Sequence, residues 1–318
     1  MRFAAALLVS SLLVAQDEPT IKVEVNVVNV LFSVHNKGGG LVGNLGKDDF
    51  KVFEDGKQQE IKYFTRETDL PLTIGLLIDV SASQGNLIGI EQDAASQFFG
   101  QVLRPKDMAF LISFGADADL LQDYTNSPKL LRAGLQDLKV NSDTSGAAMH
   151  PGPVPTVSNP RGTILYDAVY LAAADQLKGQ VGRKVLVLIT DGEDQGSRYK
   201  IQEAIQAAQK ADAIIYSFYY VDRGFYARQG MWFGGGGESY LKRMSEETGG
   251  RVFRIDNKHP LREAFQELQD EMRSQYAVGY VPSNSTKDGS FRKLDIQANN
   301  KEYKVQARKG YYATASAE

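Results

Sequence analysis

From residue 72 onward, short apolar runs alternate with stretches that keep a helical spacing. The strand-like runs are 72–79, 108–115, 184–191, 213–221 and 251–255; between and after them, 88–103, 128–138, 164–177, 200–211, 239–248 and 260–275 read as helices. In the first of these helices Leu87, Ile90, Ala94, Phe98 and Val102 recur as one helical face. Strands separated by helices of about ten to fifteen residues predict a parallel sheet covered on both faces. One run differs. Residues 118–124 follow 108–115 after only Gly115-Ala116-Asp117, too short a link for parallel neighbours, so this run is expected to be an antiparallel edge.

The flanks read as β without helix. Ile21, Val23, Val25 and Val27 share one parity, and Val28, Val30, Phe32 and Val34 the other; such a slip predicts a long strand with a bend near Val27. Residues 50–53 and 61–64 flank Glu54-Asp55-Gly56-Lys57, and Asp-Gly is a strong hairpin signal. Beyond residue 275, 276–281, 294–298 and 303–307 are separated by turn-forming stretches. Neither flank has enough strands to bury a core alone. Together they could form one sandwich of about seven strands. The expected organisation is an α/β unit at 70–275 inserted into a β domain split between 17–69 and 276–318; two independent flaps are the alternative.

Composition narrows the function classes. The 318 residues are 42% hydrophobic and 24% charged, with 36 basic against 39 acidic side chains and a formal charge of −3. That balance carries no basic footprint for nucleic acid, and no polybasic run suggests a membrane patch. Cysteine is absent, which removes disulfides, thiolate metal sites and cysteine nucleophiles. His35, His150 and His259 are scattered and match no zinc-protease spacing. Residues 1–16, MRFAAALLVSSLLVAQ, place Arg2 before an apolar run and a polar stretch after it. This layout predicts a secretory signal, and hence a secreted or periplasmic protein with no membrane insertion after signal removal.

Candidate chemistry collects at strand ends. Asp79, Ser81 and Ser83 close the apolar run IGLLIDVSAS; Asp191 closes VLVLIT and is followed by Gly192; Thr163 stands where a Pro/Gly-rich loop enters a helix. Singly, each has an ordinary reading as a helix cap or turn residue. In a parallel sheet, however, all strand C-termini lie on one edge, where open α/β sheets bind ligands. Two carboxylates and three hydroxyls then suit a hard divalent cation. Residues 140–161, with Pro151, Pro153, Pro155 and Pro160, form a long irregular insertion just before Thr163. Residues 223–237 place Phe225, Tyr226, Trp232 and Phe233 in a glycine-rich loop. These aromatics are candidate partner contacts, or else packing over the sheet edge.

Asp79-Val80-Ser81-Ala82-Ser83, Thr163 and Asp191 together resemble the metal-ion-dependent adhesion site (MIDAS) of von Willebrand factor type A domains, over roughly residues 70–275. The flanks are similar to a group of secreted bacterial proteins carrying that domain, through Asp49 to Gly56, Gly279 to Pro282 and Arg308 to Tyr311. The resemblance implies a doubly wound, mainly parallel six-stranded sheet with one antiparallel edge. It implies hydroxyl ligands from Ser81, Ser83 and Thr163, with Asp79 and Asp191 bound directly or through water. The ion would be Mg²⁺, with Mn²⁺ or Ca²⁺ as alternatives. A cation held mostly by neutral hydroxyls stays electron-poor, so another protein's Asp or Glu can complete its shell.

The expectation is therefore an exported, non-enzymatic adhesion or assembly module. The competing readings are a structural envelope component whose metal only stabilises the fold, and a metal-assisted hydrolase. The hydrolase would need a base and nucleophile beside the ion, and only Glu193 and Asp194 are near in sequence. No motif specifies an oligomeric state.

Overall fold

The computed structural model describes residues 27–66, 70–140, 162–228 and 236–314. The signal-like segment 1–16, the early strand residues Ile21, Val23 and Val25, the insertion from 141 to 161, and Trp232 and Phe233 lie outside the described residues. Before the α/β unit come strands β1 (Val28–His35), β2 (Phe50–Glu54), β3 (Lys57–Gln59) and β4 (Ile61–Arg66). The unit itself holds β5 (Leu72–Asp79), β6 (Met108–Phe114), β7 (Ala118–Thr125), β8 (Arg183–Thr190), β9 (Ala213–Tyr220) and β10 (Val252–Ile255). Its helices are α1 (Ile88–Val102), α2 (Pro128–Gln136), α3 (Leu165–Leu171), α4 (Ile201–Lys210), α5 (Arg223–Arg228), α6 (Gly236–Thr248) and α7 (Leu261–Arg273). Strands β11 (Tyr276–Tyr280), β12 (Phe291–Ala298), β13 (Lys304–Ala307) and β14 (Gly310–Tyr312) follow.

Every residue of β5 is buried, which fits its unbroken apolar run and its place inside the sheet order β10-β9-β8-β5-β6-β7. β5 pairs in parallel with β8 on one side and β6 on the other, while β7 runs antiparallel at the edge, as its short link requires. Helices α1, α2 and α7 bury one face of this sheet, and α3, α4 and α6 the other. Chain order departs from β5 in both directions, so the carboxyl ends of β5 and β8 flank the switch point where doubly wound sheets open a crevice. Gly75 in β5 permits the close packing, since a Cβ there would stand 2.2 Å from the Phe110 ring.

The flanking strands form two antiparallel four-stranded sheets, β13-β1-β11-β4 and β14-β12-β2-β3, each drawing strands from both ends of the chain. One core lies between them, with Phe32, Phe50 and Tyr276 packed ring to ring at 5.0–5.8 Å. Asp55 (φ 48°) and Gly56 (φ 81°) make the expected tight turn. The strand after the turn is not the one the pattern named: β2 pairs with β3, and β4 crosses to the other sheet to pair with β11. The apolar face of α1 is also rotated from its expected position. Ile90 is 52% exposed, and the buried set is Ile88, Glu91, Ala94, Ala95, Phe98, Phe99 and Val102. Residues 223–228, expected in a loop, form α5, because the Asp222 carboxylate accepts from the amides of Gly224 (2.8 Å) and Phe225 (3.1 Å) at its start.

Candidate metal centre

Asp79 is the last residue of β5 and is fully buried; the loop after it folds back so that the Ser81 amide donates to Asp79 Oδ1 at 2.9 Å. On the neighbouring strand Thr190 donates its hydroxyl to Asp79 Oδ2 at 2.6 Å and accepts from the Gly192 amide at 3.0 Å. Asp191 is held by the next turn, where Gly192 has φ +80° and Gly237, at the start of α6, approaches so closely that a Cβ on it would stand 2.1 Å from Asp191 O. Only glycine fits both places.

The side chains converge across the two strand ends. Ser83 donates its hydroxyl to Asp191 Oδ2 at 2.6 Å, and the Ser81 and Ser83 hydroxyls lie 3.0 Å apart. Neither serine makes a side-chain cap for the helical turns that follow, so the capping alternative does not describe them. Thr163 is on the adjoining loop: its carbonyl accepts from the amides of Gln195 (3.0 Å) and Gly196 (3.3 Å), and Ile164 N donates to Gly115 O at 2.9 Å. The Thr163 hydroxyl takes no part in the Asp79–Ser83–Asp191 hydrogen bonds. Four of the five motif residues thus share one network, and the fifth sits on a loop tied to the segment after Asp191.

Tyr226 also enters this site. Its hydroxyl donates to Asp191 Oδ2 at 2.8 Å, while Phe225 meets the Tyr226 ring edge to face at 5.5 Å. The sequence pattern flagged Tyr226 as an aromatic partner contact; the hydroxyl bond to Asp191 was not legible from it. Thr190, Glu91 and Gln84 were missed altogether. Glu91 lies in the first turn of α1 on the side that Ile88, Ala95 and Phe98 bury, away from the exposed Ile90 that the pattern named.

The electrostatics are those of buried carboxyls that repel one another. Burial pushes the Asp79 carboxyl up to about 7, with the charge of Asp191 adding to the effect and hydrogen bonds from Ser81 and Thr190 opposing it. Burial likewise holds Glu91 well above the usual carboxylate range, with Asp79 and Asp191 as further causes. Among the described residues, no group of three or more His, Asp or Glu gathers as a metal cage, so the donor set that fits a cation is mixed carboxylate and hydroxyl, all oxygen. Glu193 and Asp194, the conceivable bases, have other work. Asp194 Oδ1 accepts from Ser197 Oγ and from the Tyr166 amide at the start of α3, and Glu193 takes the Gly237 amide.

No family model matches the chain, and no curated protein matches it. Among solved structures, a von Willebrand factor type A protein from Catenulispora acidiphila is 11% identical, with 91% of this chain and 74% of that one covered and a TM-score of 0.49. BatB of Bacteroides thetaiotaomicron is 16% identical, with 63% and 97% covered and a TM-score of 0.46. Proximal thread matrix protein 1 from the mussel byssus, in a structure with zinc in its MIDAS motif, is 13% identical, with 68% and 48% covered and a TM-score of 0.47. At these scores the likenesses carry no functional weight. By its own strand order, antiparallel edge and helix layering, the chain has a von Willebrand factor type A-like fold with a sheet-rich part built from both termini.

Proposed function

We propose that this chain is a protein-interaction module that binds one divalent cation through Asp79, Ser81, Ser83, Thr163 and Asp191 and uses it to capture a carboxylate on another protein. The observation that carries the reading is the 2.6 Å bond from Ser83 to Asp191, which joins the ends of β5 and β8 around a point lined by hydroxyl and carboxylate oxygens. Neutral hydroxyls among the donors leave the ion electron-poor, and an Asp or Glu side chain from a partner is the ligand that completes it. Mg²⁺ is the ion of choice for an open oxygen site. Phe225 and Tyr226, with Trp232 and Phe233 of the same sequence segment, are the proposed partner contacts. The module spans 70–275, set into a β domain made from 17–69 and 276–318, and the pattern of residues 1–16 supports export.

Asp194 accepts hydrogen bonds from Tyr166 and Ser197, and Glu193 from Gly237, roles in holding the loop that support binding over hydrolysis. The test is capture of partners from the native envelope by the full chain, with Mg²⁺ or with excess chelator. Capture that disappears in chelator and in Asp79→Ala is expected; capture that persists unchanged in both overturns the proposal. Melting under the same conditions separates recognition from a purely structural metal, which would change stability without changing capture.

A further inference from the structure

Resting on the cation site just proposed, a further feature extends it. Glu91, on the first turn of α1, is 0% exposed, and neither of its carboxylate oxygens has a hydrogen-bond partner. Gln84, also 0% exposed, donates Nε2 to Tyr220 O at 3.2 Å and leaves Oε1 without a partner. Three buried acceptor atoms with nothing to accept from are costly, and native proteins leave them only where a missing water, ion or function accounts for them. Glu91 lies within electrostatic reach of Asp79, Asp191 and Tyr220, so these acceptors belong to the same end of the sheet as the motif. Yet the three carboxylates do not gather as one cage. Glu91 is therefore not one of the inner ligands.

We propose that Glu91 is an outer anion of the cation site: its negative charge favours the ion from outside the inner ligands, and Gln84 Oε1 accepts a hydrogen bond from water retained on the ion. The arrangement fits Mg²⁺, which keeps several waters and needs acceptors for their protons. Outer groups of this kind change metal affinity by about 10- to 100-fold when removed. Glu91 is a positioning residue; it touches no partner.

The experiment is calorimetric titration of Mg²⁺ into the metal-stripped full chain and its variants, with circular dichroism to verify folding. Glu91→Gln keeps the shape and removes the charge, and it is expected to weaken Mg²⁺ binding by about 10-fold or more. Glu91→Asp keeps the charge and is expected to retain more of the affinity than Glu91→Gln. Gln84→Ala, which leaves Glu91 in place, supplies a second reading should Glu91→Gln not fold, with an expected loss of about 3-fold or more. Wild-type affinity in the folded Glu91→Gln and Gln84→Ala variants, or equal losses in Glu91→Gln and Glu91→Asp, overturns the inference and leaves the motif site standing. A wild-type chain that takes up no Mg²⁺ overturns both.

Discussion

Glu91 and Glu271 are both 0% exposed, and their surroundings differ in almost every other respect. Glu271, on α7, accepts from Arg251 Nε at 2.7 Å, Gln306 Nε2 at 2.6 Å and Ser33 Oγ at 3.2 Å. Those donors come from β1, β13 and the segment before β10, so one carboxylate ties the α/β unit to the flanking sheets. Glu91 has no donor at all. A buried charge with its hydrogen bonds satisfied holds a structure together; one without them is tolerated where something else is to bind. The contrast is between these two acids: Glu271 at the seam has its donors, and Glu91, near the carboxyl ends of β5 and β8, has none.

The seam should be the costlier place to disturb. Glu271→Ala strands the Arg251 and Gln306 donors and is expected to cost about 3 kcal/mol in urea unfolding, at the lower end for a broken buried pair because the Arg251 side chain is 31% exposed. Glu91→Met should do the opposite. In chelator it replaces an unpartnered acid with an apolar side chain of similar length, and a gain of about 1–2 kcal/mol is expected; a loss of stability would mean that Glu91 has a structural partner.

Acidity offers a subtler contrast. Asp79 is raised to about 7 and Glu91 well above its ordinary range, so both bind protons more tightly folded than unfolded. The sign follows from linkage: without a cation, their contribution makes the fold more stable as pH falls from about 7 towards about 4, opposite to a salt-bridged carboxylate. Chelated wild type and Glu91→Met should therefore differ in slope over that window, the variant being flatter. The smallest effect is expected of Tyr226→Phe, which deletes a single donor to Asp191 Oδ2; a change in Mg²⁺ affinity of no more than about 10-fold should appear by calorimetry.

Much of this was legible in the sequence because it depends on local rules. The buried run of β5, the three-residue link that forces β7 antiparallel and the Asp55-Gly56 turn each follow from spacing and backbone preference. Asp79, Ser81, Ser83 and Asp191 could be grouped because parallel strands end on one edge. What stayed hidden depends on tertiary choice. Nothing local to residues 57–66 says that β3, and not β4, completes the hairpin, since both follow the same turn. The rotation of α1 that buries Glu91 and exposes Ile90 is set by packing on β5, where an acid facing inward contradicts the ordinary pattern. The Tyr226 bond required α5, and α5 required the Asp222 cap, which reads in sequence as one more polar loop residue.

The central claim is that the carboxyl end of β5 and β8 is a cation site, and Mg²⁺ titration of the stripped chain addresses it most directly. One ion per chain, a melting temperature that rises with Mg²⁺, and loss of both in Asp79→Ala are the expected results. No heat of binding and no change in melting temperature at millimolar Mg²⁺ would contradict it.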